Sequence, residues 1–413
     1  MTVGKPDRIL RLFGRVRNYD WGSPTAIYDL LGEAPTGQPA AELWLGTHPG
    51  APSEVETVGG LRPAVDVVGP LPFLLKVLAA EKALSLQVHP DAARARTGFD
   101  DEERCGVPRD ATWRRYRDRN HKPELIVALT PFRALAGVRD PLRTLAVVCG
   151  LGHPPLTAAF TPLDANPSTG AATVLRTLLT MPAEQAHAFT SGLVEAAAAL
   201  RPPVDPDVAA AADLVGRLAA AHPGDVGIAA ALLLNDVALQ PGEALFQPAR
   251  LLHAYVHGVG IEIMATSDNV LRGGLTPKHI DVDELLDVLD PRPTPAPVLA
   301  PRTMLATAGL TVRTWDVPVD DFLLAEAICH RPADASPAGG RTACDGHMPV
   351  TRPAVLLVTE GAIEVYGTGT DVIRLQRGQA AVVAPGSPAS TQLGLAGVGR
   401  VFLASPGQGT SPG

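Results

Sequence analysis

The chain has 413 residues, 35 of them basic and 43 acidic, for a net charge of -8. That length supports two or three domains with sizeable cores, and no basic tract marks a nucleic-acid or membrane-surface footprint. The apolar stretch Leu71 to Leu86 is interrupted by Lys76, Glu81 and Lys82, and the N-terminus has no apolar signal core, so a soluble cytoplasmic protein is expected. Cys105, Cys149, Cys329 and Cys344 lack CxxC spacing, which turns any metal towards nitrogen and oxygen ligands.

From Ile9 to about Ala136, short apolar runs broken by turn residues predict strands. A helix is expected over Ser23 to Leu31, with Ser23 as N-cap and Pro24 in the first turn, and a second after Pro90. Read as a strand, Leu84 to Asp91 puts Leu84, Leu86 and Val88 on one face and Ser85, Gln87 and His89 on the other. Gln and His two apart offer one oxygen and one nitrogen donor from a rigid element, which suits zinc. A solvated strand face accounts for the same three residues. In NHKPELIVAL, Lys122 and Glu124 share a face opposite Leu125 and Val127, which sets a carboxylate among apolar residues where a bare charge is costly.

After Val138 the character changes. From Pro141 to Leu234, Ala/Leu segments at helical spacing, such as PDVAAAADLVGRLAAAH, are separated by prolines and predict an all-helical insertion. Strand and turn resume at Leu239 to Phe246. In FQPARLLHAYVHG, His253 follows a proline-containing turn and enters a strand, a cupin-like position for a histidine ligand. Gln87, His89, Glu124 and His253 together form an N2O2 set with room for water or substrate, as a catalytic zinc requires. Each one singly also fits a solvated or hydrogen-bonded structural role.

SDNVLRGGLTPKH gathers Ser267, Asp268, Asn269, Arg272, Thr276 and Lys278 around Gly273-Gly274. Glycine lets the backbone approach a ligand, while Arg and Lys offer a fork and a point charge to a phosphate or oxyanion; a plain polar turn fits as well. A short helix over Asp281 to Leu289, a Pro-rich linker and a third, β-rich segment from Met304 to Leu403 complete the chain. The expected fold is mainly β: two cupin-type jelly-roll barrels with an inserted α-helical domain. Its parts are a catalytic cupin domain at 1–138 and 239–290, the helical insertion at 139–238, a C-terminal cupin-like domain at 300–405 and a flexible tail at 406–413. The C-terminal unit lacks a QxH pair, and His347 stands apart, so it is read as a structural wall for the first barrel.

Five blocks, NYDWGS (18–23), AELWLGTHPGAPS (41–53), LPFLLKVLAAEKALSLQVHPD (71–91), NHKPELIVALTPFRALAG (120–137) and HAYVHGVGIEIMATSDNVLRGGLTPKH (253–279), resemble the type I mannose-6-phosphate isomerases in order and spacing. The resemblance covers nearly the whole chain. It implies a zinc-dependent aldose-ketose isomerase, one Zn2+ per chain, that interconverts mannose 6-phosphate and fructose 6-phosphate. It also implies zinc ligands at Gln87, His89, Glu124 and His253 and a catalytic arginine at Arg272. The cleft-lining positions it implies are Trp21, Glu42, Lys76, Ser85 and Lys122, with Glu262 and Lys278.

Such an isomerisation removes a weakly acidic C–H proton and stabilises an enediolate. Arg272, permanently charged, suits the oxyanion or the phosphate better than a base role. Glu262, a hydroxide on the metal and a lysine with a depressed pKa all remain candidates for the base. Departures from the family pattern are Gly273 in place of alanine, Arg133 in PFRAL and His257 in HAYVHG. The implied partner is a phosphorylated hexose, with no nucleic acid and no membrane, and the chain is expected to act as a monomer. A non-catalytic cupin that binds a sugar phosphate, and a metal-dependent hydrolase or epimerase on the same scaffold, are the competing readings.

Overall fold

The computed structural model describes residues 9–330, 344–351, 353–367, 372–384 and 392–407. The tail expected at 406–413 lies outside these residues from position 408 onward. Two antiparallel sheets organise the strands. In the first, Glu124–Ala128 and Phe73–Ala80 flank the second half of the 13-residue strand His253–Ala265, with Ala244–Gln247 beyond Glu124–Ala128 and Glu42–Leu45 beyond Phe73–Ala80. The first half of that long strand pairs instead with Phe132–Val138 and, at His253, with Gln87. One strand thus serves two sides of a barrel.

Alternation assigns the faces. Leu75, Val77, Ala79, Leu125, Val127, Ile261 and Ile263 are buried against the second sheet, where Leu357, Val382, Phe402 and Trp315 meet them. Leu78, Ala80, Ile126, Ala128, Ala134, Ala136 and Tyr255 point the other way and fill the barrel. Lys76, Glu124 and Glu262 share the phase of this inner set, in strands whose outer faces are wholly apolar.

The Leu84 to Asp91 stretch forms a strand only at Gln87–Val88. Around it the backbone bonds irregularly, Leu84 N–H to the Tyr255 carbonyl at 2.9 Å and Leu86 N–H to the Gly274 carbonyl at 3.0 Å. Leu86 and Val88 are fully buried in the core of the helical insertion, while Leu84 packs with the barrel interior, so the period holds from Leu86 but not at Leu84. Ala254 and Val256 join Leu86 and Val88 on that outer face. The helices therefore buttress the backs of the strands that carry His89 and His253.

Helices run from Pro141–Gly150 to Gly227–Ala230. Asp140 and Asp205 cap two of them, accepting from Arg143 N–H at 3.0 Å and Asp207 N–H at 2.9 Å, each with proline in the first turn. Along Pro206–Ala221, Val208, Ala211, Leu214, Val215 and Leu218 form the buried stripe. The strand Leu234–Leu239 then pairs with Phe132–Val138. Arg133 ties helix to barrel: its guanidinium donates to both Asp236 oxygens, at 2.9 and 2.6 Å, and to Asp213 at 2.5 Å. Near the N-terminus the helix is Ala26–Leu31, with Thr25 and not Ser23 at the N-cap position and Pro24 ahead of it; Ser23 Oγ still accepts from Ala26 N–H at 3.2 Å, and Asp91 caps Ala92–Arg104 through Arg94 N–H at 2.8 Å.

The second sheet is built on Ala354–Tyr366, Gln392–Ser405 and Leu323–Cys329, and it recruits the first of the described strands, Ile9–Phe13, against Ala380–Val383. Its enclosed face is aliphatic, with Val312, Leu356, Val358, Ile363, Leu395 and Leu403 all buried. His347 is exposed, its ring edge-on to Tyr366. Among the described residues, no helix is long and apolar enough to cross a membrane.

Candidate metal centre

Three side chains converge inside the first barrel. His89 and His253 are 1 % exposed and Glu124 is 3 %. His89 Nε2 lies 3.4 Å from Glu124 Oε1, and His253 Nε2 lies 3.3 Å from Glu124 Oε2. The backbone sets the orientation of both rings. His89 Nδ1 is 2.7 Å from the Asn269 carbonyl and His253 Nδ1 is 3.0 Å from the Leu251 carbonyl. A carbonyl only accepts, so each Nδ1 carries the hydrogen and each Nε2 presents a lone pair.

Neither Nε2 has a hydrogen-bond partner although both are buried, an arrangement that costs roughly 1–3 kcal/mol per group if nothing binds there. Tetrahedral zinc with bonds of about 2.0–2.1 Å places its ligand atoms about 3.3 Å apart, which matches the two nitrogen-oxygen separations. The three residues fit a divalent metal of zinc type. Gln87, half-buried, stands opposite His253 in one ladder and opposite Arg272 in the next, two residues before His89.

Electrostatics point the same way. Burial pushes the His89 imidazole down to about 4, which keeps it neutral and able to coordinate. Burial alone would push Glu124 up, but Lys122 and the two histidines hold its carboxyl well below the usual range. Lys122 Nζ is 3.2 Å from Glu124 Oε1.

The barrel interior holds a second polar group. Lys76, buried, is ion-paired with Glu262 and lies 3.4 Å from Glu42. Burial would lower the Lys76 ammonium, but Glu262 and Glu42 override it and raise its pKa. Burial raises the Glu262 carboxyl, against the pull of Lys76. Tyr255 joins the set, donating to Glu262 at 2.8 Å and lying 3.2 Å from Gln247 Oε1; Glu42 accepts from Trp44 Nε1 at 2.8 Å.

Arg272 is half-buried, its pKa lowered by burial and then by Arg117. Lys278 is exposed on the turn that follows, and burial of part of its stem, then Arg272 and Arg117, lower it too. Trp21 is half-buried, stacked on Tyr19 with ring centres 5.6 Å apart, and Ser85 is half-buried just before Leu86. His257 is exposed, away from the ligand set.

Sequence reasoning passed over four participants. Tyr255 lies two residues after His253, so period two already put it on the same face. Gln247 is fully buried opposite Glu124 in the ladder. His48 is buried beside Trp44, its Nδ1 accepting from Gly50 N–H at 3.1 Å; that turn geometry has no periodic signal. Arg117 sits in a loop.

The enclosed barrel with a histidine-carboxylate-histidine set defines a metal-dependent cupin protein. Residues 9–141 match the family model of the phosphomannose isomerase type I catalytic domain. Mannose-6-phosphate isomerase of Escherichia coli is 35 % identical, over 95 % of this chain and 99 % of the relative. The Salmonella typhimurium protein of that name is 39 % identical, over 76 % and 82 %. A crystal structure of the Salmonella typhimurium isomerase bound to fructose 6-phosphate and zinc superposes with a TM-score of 0.83 at 31 % identity, covering 97 % of this chain and 99 % of that one. The chain belongs to the type I phosphomannose isomerase family.

Proposed function

We infer that this protein is a zinc-dependent aldose-ketose isomerase that interconverts D-mannose 6-phosphate and D-fructose 6-phosphate. The observation that carries the reading is the pair of buried, unpartnered imidazole Nε2 atoms facing Glu124, in a chain of this family. Zinc held by His89, Glu124 and His253 would supply a Lewis acid for the sugar's carbonyl or hydroxyl oxygen. Gln87 is assigned as the fourth ligand beside His89, Glu124 and His253, on the strength of its register opposite His253.

The other roles fall to side chains. A proton must leave C2 and reach C1 while the carbonyl moves the other way. Glu262 is assigned to that transfer, because burial raises its carboxyl towards the range where a carboxylate both accepts and returns a proton. Lys76 stays protonated between Glu262 and Glu42 and serves as a hydrogen-bond donor to sugar oxygens. Lys122 keeps Glu124 ionised and faces the same cleft. Arg272 remains cationic despite its burial and takes the developing oxyanion or the phosphate, with Lys278 supplying a second charge at the rim. Trp21, Glu42 and Ser85 complete the cleft.

In our assignment 1–138 and 239–290 form the catalytic unit, with 139–238 as its helical buttress and 300–405 as the filled second barrel, to which Ile9–Phe13 and Glu54–Thr57 add strands. We assign the protein to the cytoplasm as a monomer. The test is a coupled assay with mannose 6-phosphate on metal-analysed protein, before and after chelation and after zinc is restored. Activity that vanishes and returns with zinc is the expected result. Full zinc content with no turnover would favour the non-catalytic sugar-phosphate binder.

A further inference from the structure

The segment 267–269 and the loop 118–120 are bonded to each other mainly through three side chains, and Asn269 is the centre of that clasp. It is fully buried. Its Oδ1 accepts from the backbone N–H of Arg117 at 2.8 Å and of Asp118 at 3.3 Å. Its Nδ2 donates to the carbonyls of Asp118 and Asn120, both at 2.9 Å. Asp118 answers from the loop side: its carboxylate accepts from Asp268 N–H at 2.7 Å and from Ser267 Oγ at 2.9 Å. Asn269 N–H donates to Ser267 Oγ at 3.2 Å.

The backbone carbonyl of this same Asn269 receives His89 Nδ1–H at 2.7 Å. The loop it grips leads directly into Lys122 and Glu124. One side chain thus stands between two of the three converging metal-site residues: it holds the acceptor that orients His89 and the segment that delivers Glu124. Only a side-chain amide meets the demand, with two lone pairs for the N–H groups and two hydrogens for the carbonyls. An aspartate would set lone pairs against the carbonyls, and an alanine would remove all four of these part-buried hydrogen bonds at once.

We propose that Asn269 is a positioning residue of the metal centre, whose amide locks the 117–120 loop to the carbonyl that orients His89 and so sets the affinity for zinc. The proposal rests on the metal part of the functional reading and not on the identity of the sugar. Partners that hold a ligating histidine typically account for a roughly 10- to 100-fold change in metal affinity.

The experiment measures zinc affinity of the full-length apo-protein by competition with a chromophoric chelator, together with its thermal midpoint. Asn269→Ala should bind zinc roughly 10- to 100-fold more weakly. Arg133→Ala, which breaks the remote contacts to Asp236 and Asp213, should lower the midpoint and leave zinc affinity unchanged. If Asn269→Ala lowers the midpoint but keeps zinc affinity within about twofold, or if Arg133→Ala weakens zinc equally, the residue serves only the fold and the proposal is overturned. Should Asn269→Ala not fold, Ser267→Ala carries the test, with a several-fold loss expected and unchanged affinity deciding against it. No readout involves substrate, so a wrong assignment of the reaction would leave these results as informative as before.

Discussion

Lys76 offers the sharpest quantitative test of the barrel interior. Replacing it with methionine keeps the stem volume and removes the ammonium that faces Glu262 and Glu42, which are 1 % and 7 % exposed. Removing one member of a buried ion pair costs about 3–5 kcal/mol when the partner stays charged. Glu262 has an escape, because it can take up a proton. Holding a carboxyl of ordinary value 4.5 neutral costs about 3.4 kcal/mol at pH 7 and only about 0.7 kcal/mol at pH 5. The sign follows from linkage: in the variant the folded-state value lies above the unfolded one, so stability falls as pH rises above about 4.5. Lys76 itself is fully protonated across this window, its own value being raised, and its pull on the Glu262 carboxyl makes the parent's own decline with pH smaller than the variant's. Urea unfolding of the metal-free protein should therefore give a loss relative to the parent of at most about 3 kcal/mol at pH 7 that shrinks below about 1 kcal/mol at pH 5. A loss of equal size at both pH values would mean that Lys76 does not neutralise Glu262, and the account of the inner network would fail.

The remaining predictions concern separate parts of the molecule. His253→Ala should lose bound zinc and turnover together, whereas Arg272→Ala should keep the metal by elemental analysis and lose turnover; full turnover in Arg272→Ala would remove it from the catalytic set. His121 Nε2 lies 2.9 Å from Asp321 Oδ2, and that hydrogen bond raises the imidazole above its ordinary 6.5. A raised histidine contributes stability that is complete below pH 6.5 and is lost as pH rises through the folded value. Asp321→Asn should thus be less stable than the parent by roughly 0.5–1 kcal/mol at pH 6, with the gap closing at higher pH; a gap that stays constant in a thermal-midpoint series would point to packing instead. Gly273→Ala should be neutral or slightly stabilising, by about 0.4–1 kcal/mol, since an added Cβ meets Leu252, Leu285 and Leu86 only at 3.4 to 3.7 Å.

Much of the site was legible because polar residues in strands obey a short-range rule. Glu124 stands among Leu125, Ile126 and Val127, and a carboxylate that shares a face with Ile126 and Ala128 has to meet a cation or a metal. The partners of strands were far less legible. Period two says which face Ile9 and Leu12 show, but not that their strand pairs with Ala380–Val383 across almost the whole chain. For the same reason, Asn269 reads in sequence as one polar residue in a polar turn, and its hold on Arg117 and Asp118 exists only once the loop has folded over it. Arg133 stood out as a departure from the family pattern, and the structure explains it locally through Asp236, on the paired strand, and Asp213, on a helix of the insertion.

The long strand His253–Ala265 shows why residue spacing alone fails at the point that matters most. His253 and Glu262 are nine apart, and strict alternation would place them on opposite faces. In the structure both face the barrel, because the ladder with Phe132–Val138 slips between Tyr255 and His257: Tyr255 opposes Ala134, yet His257 opposes Arg133. The extra residue inverts the phase, so that Gly258, Gly260 and Glu262 oppose the inward-facing Ala80, Leu78 and Lys76. Gly258 follows at φ 126°, and a Cβ there would lie 2.7 Å from the Phe132 ring and 2.9 Å from the Pro131 carbonyl, so the position demands glycine. His257 is exposed because it sits at this irregularity. A single bulge lets one strand carry both the metal-facing histidine and the buried carboxylate of the Lys76 pair, with Tyr255 between them bonded to the latter.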